Sequence, residues 1–165
     1  MSMSVKARWT VVAAVVVVAA AGVALWPQAP DDPHAYAGSH SGFGVGDVER
    51  LAHVPVPGCA REGLRYFVFP LDAESVWFDF PGSAECVDEF LTGAGLSTGD
   101  ARPGRESVGL IAPPPESGAR WEVGPGDRVQ EWQRVVESFS GEQVDVRVNR
   151  SAEPQHVYVR AFATT

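Results

Sequence analysis

Four carboxylates crowd one stretch of this chain: Asp79, Glu85, Asp88 and Glu89. A glycosidase-like hydrolysis needs two such groups, one as acid and one as base or nucleophile, converging on a cleft. Glu85 and Glu89 also have the spacing of neighbours on one exposed helix face, where charge is simply solvated. Ser83 stands between a strand-like run and a helix-like run, the place where a nucleophile elbow would put a serine, but the GxSxG pattern is missing. Capping the helix that starts directly after it is the simpler role. Cys86 as a nucleophile with His156 as its base requires a free thiol.

Three more histidines, His34, His40 and His53, lie in a polar stretch near Asp31 and Asp32. Their spacings are neither the i, i+4 pair nor the CxxC knuckle that preorganise a metal site, so no specific metal is expected. The glycines of residues 42–46 follow no strand-like run, which removes a dinucleotide fingerprint, and no cofactor is expected. Asn149-Arg150-Ser151 matches a glycosylation acceptor, but only by chance if the source is bacterial. The twelve-to-one excess of arginine over lysine and the abundance of Ala, Val, Gly and Pro point to such a source.

Whatever chemistry these residues do depends on where the chain is placed. Residues 9–26 form an uncharged run, WTVVAAVVVVAAAGVALW, that would span about 27 Å as a helix, close to the hydrocarbon thickness of a bilayer. Buried in lipid, such a run must be helical to pair its backbone amides. Trp9 and Trp26 suit the two interfaces. Lys6 and Arg8 precede the run and Asp31 and Asp32 follow it, so residues 1–8 are expected in the cytoplasm and the rest outside. The competing reading is a signal peptide that is cleaved to give a secreted form. Ala19, Ala20, Ala21, Gly22 and Ala24 would permit close helix packing and a homodimer in the membrane.

Net charge is −8, and without Lys6 and Arg8 the remainder carries −10. Such a surface repels phosphate backbones, so nucleic acid is excluded as a partner. Cys59 and Cys86 are the two cysteines, and in an oxidising compartment they are expected to pair.

Residues 27–58, rich in Pro, Gly, Ser, Asp and His, read as a flexible tether with one short helical turn near 46–53. Residues 59–165 read as a folded domain. LRYFVF (64–69) and VWFDF (76–80) are aromatic and β-branched runs that suit a hairpin. Ser83 then opens a helix with the apolar stripe Cys86, Val87, Phe90 and Leu91, closed by Gly93 and Gly95. Residues 108–112 are a short candidate strand. Asp127 with Gln130 resembles a capping box ahead of Val129, Trp132, Val136 and Phe139 at helical spacing, predicting a second helix that ends at Gly141. Val144, Val146 and Val148, and later Val157, Val159 and Ala161, alternate with polar residues as strands do.

The expected class is therefore α+β, in ββαβαββ order, with two helices on one face of a mostly antiparallel sheet. No internal repeat is evident. Consecutive aromatics in a strand point to opposite faces. Either both faces are covered, or Tyr66, Phe67, Trp77 and Phe78 supply a patch that binds a partner. With no catalytic signature present, the expected function is a tethered noncatalytic module that binds or scaffolds an envelope protein or cell-wall component. The alternative is a small extracytoplasmic hydrolase built on the acidic cluster.

Overall fold

In a computed structural model, residues 32–69, 71, 75–104, 111–121, 123–124, 126–136 and 142–163 are described. They form helix α1 (Val45–Ala52), strands β1 (Arg65–Val68) and β2 (Val76–Gly82), helix α2 (Ala84–Gly93), and strands β3 (Arg102–Pro103), β4 (Val129–Val136), β5 (Glu142–Asn149) and β6 (Gln155–Ala163). The strands make one six-stranded sheet in the order β1-β2-β6-β5-β4-β3, with every pairing antiparallel. The fold is a small α+β domain. The expected membrane helix at residues 9–26 lies outside the described residues, and no helix among those described is long and apolar enough to cross a membrane.

Alternation along the strands makes two faces. Tyr66, Val68, Val76, Phe78, Phe80, Trp132, Val144, Val146, Val148, Val157, Val159 and Ala161 form the helix-side core with Val48 and Ala52 of α1 and Cys86, Val87, Phe90 and Leu91 of α2. Phe90 meets Phe78 and Phe80 edge-on, with centroids 6.2 and 5.2 Å apart. Ser83 caps α2 as expected, its Oγ accepting from the Cys86 amide. Cys59 and Cys86 are joined by a disulfide that ties the short 3-10 turn at Gly58–Ala60 to α2.

The opposite face is covered as well. Phe67, Trp77 and Tyr158 pack there with Ile111 and Trp121 from the segment between β3 and β4. Two buried faces explain why the first hairpin carries so many aromatics.

Three expectations need correction. The helix expected from Asp127 onward is strand β4, paired with β5 from Val129↔Asn149 to Val136↔Glu142. Asp127 caps no helix: its Oδ2 accepts from the Gly124 amide and from Asn149 Nδ2, closing a turn. The element order is accordingly αββαββββ, and the second helix lies at Val45–Ala52. The expected end of that helix, with Phe139 and Gly141, lies outside the described residues, as do residues 108–110 of the candidate strand.

The part of the expected tether that is described, from Asp32 onward, packs into the domain. Ala35, Val48, Ala52, Val54 and Val56 are all buried. Tyr36 N donates to Tyr66 O and Tyr66 N donates to His34 O, so this segment runs along the outer edge of β1 and satisfies groups that an edge strand would leave open.

Candidate functional site

In β2 the pleat sends Phe78 and Phe80 into the helix-side core, so Asp79 between them must face the other way. Asp79 is 5% exposed, and a charge so placed needs donors to offset its lost hydration. Three arrive from three parts of the chain. Tyr36 donates its hydroxyl to Oδ1 at 2.7 Å, Trp121 Nε1–H donates to the same oxygen at 2.9 Å, and His156 Nε2 lies 2.9 Å from Oδ2. The register makes the last contact possible, because β6 pairs Tyr158 with Asp79 and His156 with Pro81.

Aromatic packing holds these donors in place. The His156 ring stacks on Tyr158 at 4.6 Å, and Trp121 lies 5.2 Å from the same tyrosine. The Arg65 guanidinium sits over the Tyr36 ring at 4.8 Å. Burial pushes the Tyr36 hydroxyl well above its ordinary pKa, and the Asp79 charge adds to the shift, so Tyr36 stays a neutral donor.

An aspartate that orients a histidine is one part of a nucleophilic site, which also needs a hydroxyl or thiol against the imidazole. Among the described residues, only Asp79 bonds to the His156 ring. Cys86 is sealed in the disulfide. The acidic cluster also fails to converge. Glu85, Asp88 and Glu89 are exposed on α2, which packs on the face opposite Asp79.

The tether histidines separate too: His34 Nδ1 meets the Leu64 carbonyl, His40 Nδ1 the Ser41 carbonyl, and His53 Nε2 the Glu142 carboxylate. No group of three or more metal-ligating side chains occurs among the described residues. Tyr66, Phe67, Trp77 and Phe78, the expected partner patch, are all buried, so they shape the two cores and present no surface. The large apolar side chains left exposed among the described residues are Leu71 and Val135, which form no patch.

A second polar constellation lies at the end of the sheet where β4 begins, β5 ends and β6 begins. Arg128, Gln130, Arg150 and Gln155 line a cleft of about 260 Å³ there. Arg150 is held on every side: its Nε donates to Gln130 Oε1, Nη1 donates to Gln155 Oε1 at 2.9 Å, and Nη2 reaches Asp88 of α2 at 3.4 Å. Arg128 is exposed, and its guanidinium has no partner among the described residues. Strand alternation puts Gln130 of β4 and Gln155 of β6 on the helix side, and Arg150, directly after β5, reaches Asp88 of α2 on that same side.

Sequence reasoning singled out Asp79 and His156 without joining them, and it missed Tyr36, Trp121, Arg128 and Arg150. One signal was there: an aspartate at the centre of VWFDF interrupts an apolar run and calls for a buried partner. The partners themselves come from segments with no regular pattern. Comparison with protein-family models, with curated proteins and with solved structures finds no match to this chain.

Proposed function

We propose that this chain is a membrane-anchored, extracytoplasmic module that binds or scaffolds an envelope protein or cell-wall component and performs no catalysis. The uncharged run at residues 9–26 behind Lys6 and Arg8 supports the anchor and its orientation. The Cys59–Cys86 disulfide is in keeping with an oxidising compartment. The observation that carries the reading is the division of polar groups by the sheet. Asp79, the carboxylate best placed for chemistry, is engaged by Tyr36, Trp121 and His156, while Glu85, Asp88 and Glu89 stay on the other side. No two carboxylates of the acidic cluster share a cleft, which a hydrolase of the two-carboxylate kind requires.

Two measurements on whole cells test this. Externally added protease should remove the C-terminal domain from intact cells; protection until lysis would reverse the topology. Surface proximity labelling from the full chain should enrich a defined set of envelope neighbours over a control with a scrambled domain. Labelling no richer than that control would remove the binding role.

A further inference from the structure

Resting on the reading of the domain as a binding module, we infer that the cleft lined by Arg128, Gln130, Arg150 and Gln155 is a site for an oxyanion, a phosphate or carboxylate group carried on a larger molecule. The two glutamines set the polarity of the cleft. Arginine can only donate hydrogen bonds, so its contacts fix the amides of Gln130 and Gln155 with their oxygens toward Arg150. Their NH2 groups then remain as donors, with no partner among the described residues. The Arg128 guanidinium adds five more donors in a planar fork. The free side-chain groups of the cleft are therefore mainly N–H donors, and the group that best satisfies such a site is rich in acceptors and negatively charged.

Charge points the same way. The chain as a whole carries −8, yet here two guanidinium groups stand against one carboxylate, Asp88, which is 60% exposed and 3.4 Å from Arg150. Arg150 is preorganised by its glutamines, so little side-chain freedom remains to be lost on binding. At about 260 Å³ the cleft falls below the roughly 300–1,000 Å³ of pockets that enclose a whole small molecule. It fits a charged group presented from outside on a larger molecule.

The test is titration of the full chain in nonionic detergent micelles with inorganic phosphate and, separately, with succinate, followed by calorimetry and by the side-chain amide and guanidinium NMR signals. Saturable binding with a Kd of roughly 1 mM is expected from at least one anion, weakening as salt is added. Arg128→Ala should weaken it about tenfold or more, the loss of a charge-assisted contact. Arg128 is exposed and unpaired, so its removal leaves the fold intact, and unchanged thermal melting checks that. Asp88→Asn should strengthen binding several-fold by removing the competing carboxylate, an effect no purely structural role for the Arg150 pair produces. Response to phosphate alone assigns a phosphate-bearing ligand, and response to succinate alone a carboxylate-bearing one. No saturation with either anion, or binding indifferent to Arg128→Ala, overturns the site. Surface labelling reads neighbours of the whole domain, so it can succeed while this titration fails, and the reverse.

Discussion

Removing the Asp79 carboxylate should unfasten three separate segments at once, and the size of the loss follows from what each donor is left with. In Asp79→Ala, Trp121 Nε1–H is stranded in a buried site, at a cost of about 2 kcal/mol, the middle of the range for an unsatisfied buried donor. Tyr36, whose hydroxyl is partly buried, loses its acceptor at about 1–2 kcal/mol. His156 is one-third exposed and can turn to water, so its loss is under about 1 kcal/mol. Removing a buried charge also returns some desolvation energy, which trims the sum. The expected cost is about 3–4 kcal/mol.

Asp79→Asn keeps an oxygen for Tyr36 and Trp121 and turns its NH2 toward His156 Nε2, which can accept in the other tautomer; about 1 kcal/mol is expected. Guanidinium unfolding of the full chain in nonionic detergent measures both. Tyr36→Phe supplies a double-mutant cycle: Asp79→Ala should cost about 1 kcal/mol less in that background, because one orphan has already been removed. If alanine and asparagine at position 79 cost the same, or if the cycle closes with no coupling, the carboxylate is not the fastener of the far face.

Other outcomes follow from the same contacts. Removing the Cys59–Cys86 bridge, whose cysteines are 27 positions apart, by a double Cys→Ala variant should lower stability by roughly 3.5 kcal/mol on chain entropy; a loss below about 1 kcal/mol would mean that the unfolded chain is already constrained there. Arg134 donates to the Ala94 carbonyl at the end of α2 and to the His53 carbonyl at the end of α1, so Arg134→Ala should cost about 2 kcal/mol, and lysine, which cannot fork to both, should restore only part of it. Burial and nearby carboxylates raise the pKa of Tyr36 and of Tyr66 above the ordinary 10.0. A raised folded-state pKa means that their contribution is whole below pH 10 and is lost as pH rises beyond it. Phenolate absorbance from these two should therefore appear together with alkaline unfolding, and ionisation of either inside a fully folded domain would contradict the assigned burial.

The parts of the fold readable from residue order are those in which one local period governs. Cys86, Val87, Phe90 and Leu91 bury one stripe of a helix, and Val144, Val146 and Val148 bury one side of a strand, because in each the core selects apolar residues at every repeat. Strand β4 breaks that rule for a physical reason. Its core-side row is Gln130, Trp132, Arg134 and Val136, since one end of the row lines the cleft and Arg134 reaches across to the helix ends. Two polar residues in the inward row erase the alternation, and what remains visible, Val129, Trp132 and Val136, imitates a helix. The segment from Asp32 is obscured differently: Ala35, Val54 and Val56 are buried one at a time by contacts with distant strands, and no period records that.

The sites were hidden by the same cause taken further. Asp79 lies 77 positions from His156 and 42 from Trp121, and the contacts exist only because β2 pairs with β6 in one register. A slip of one residue would turn Asp79 into the helix-side core and Phe78 and Phe80 out of it. Hydrophobic burial on one face therefore selects the register, and the register then delivers the polar contacts on the other face. The chemistry of this domain is a consequence of its packing, and that is why residue types could be named from the chain while their partners could not.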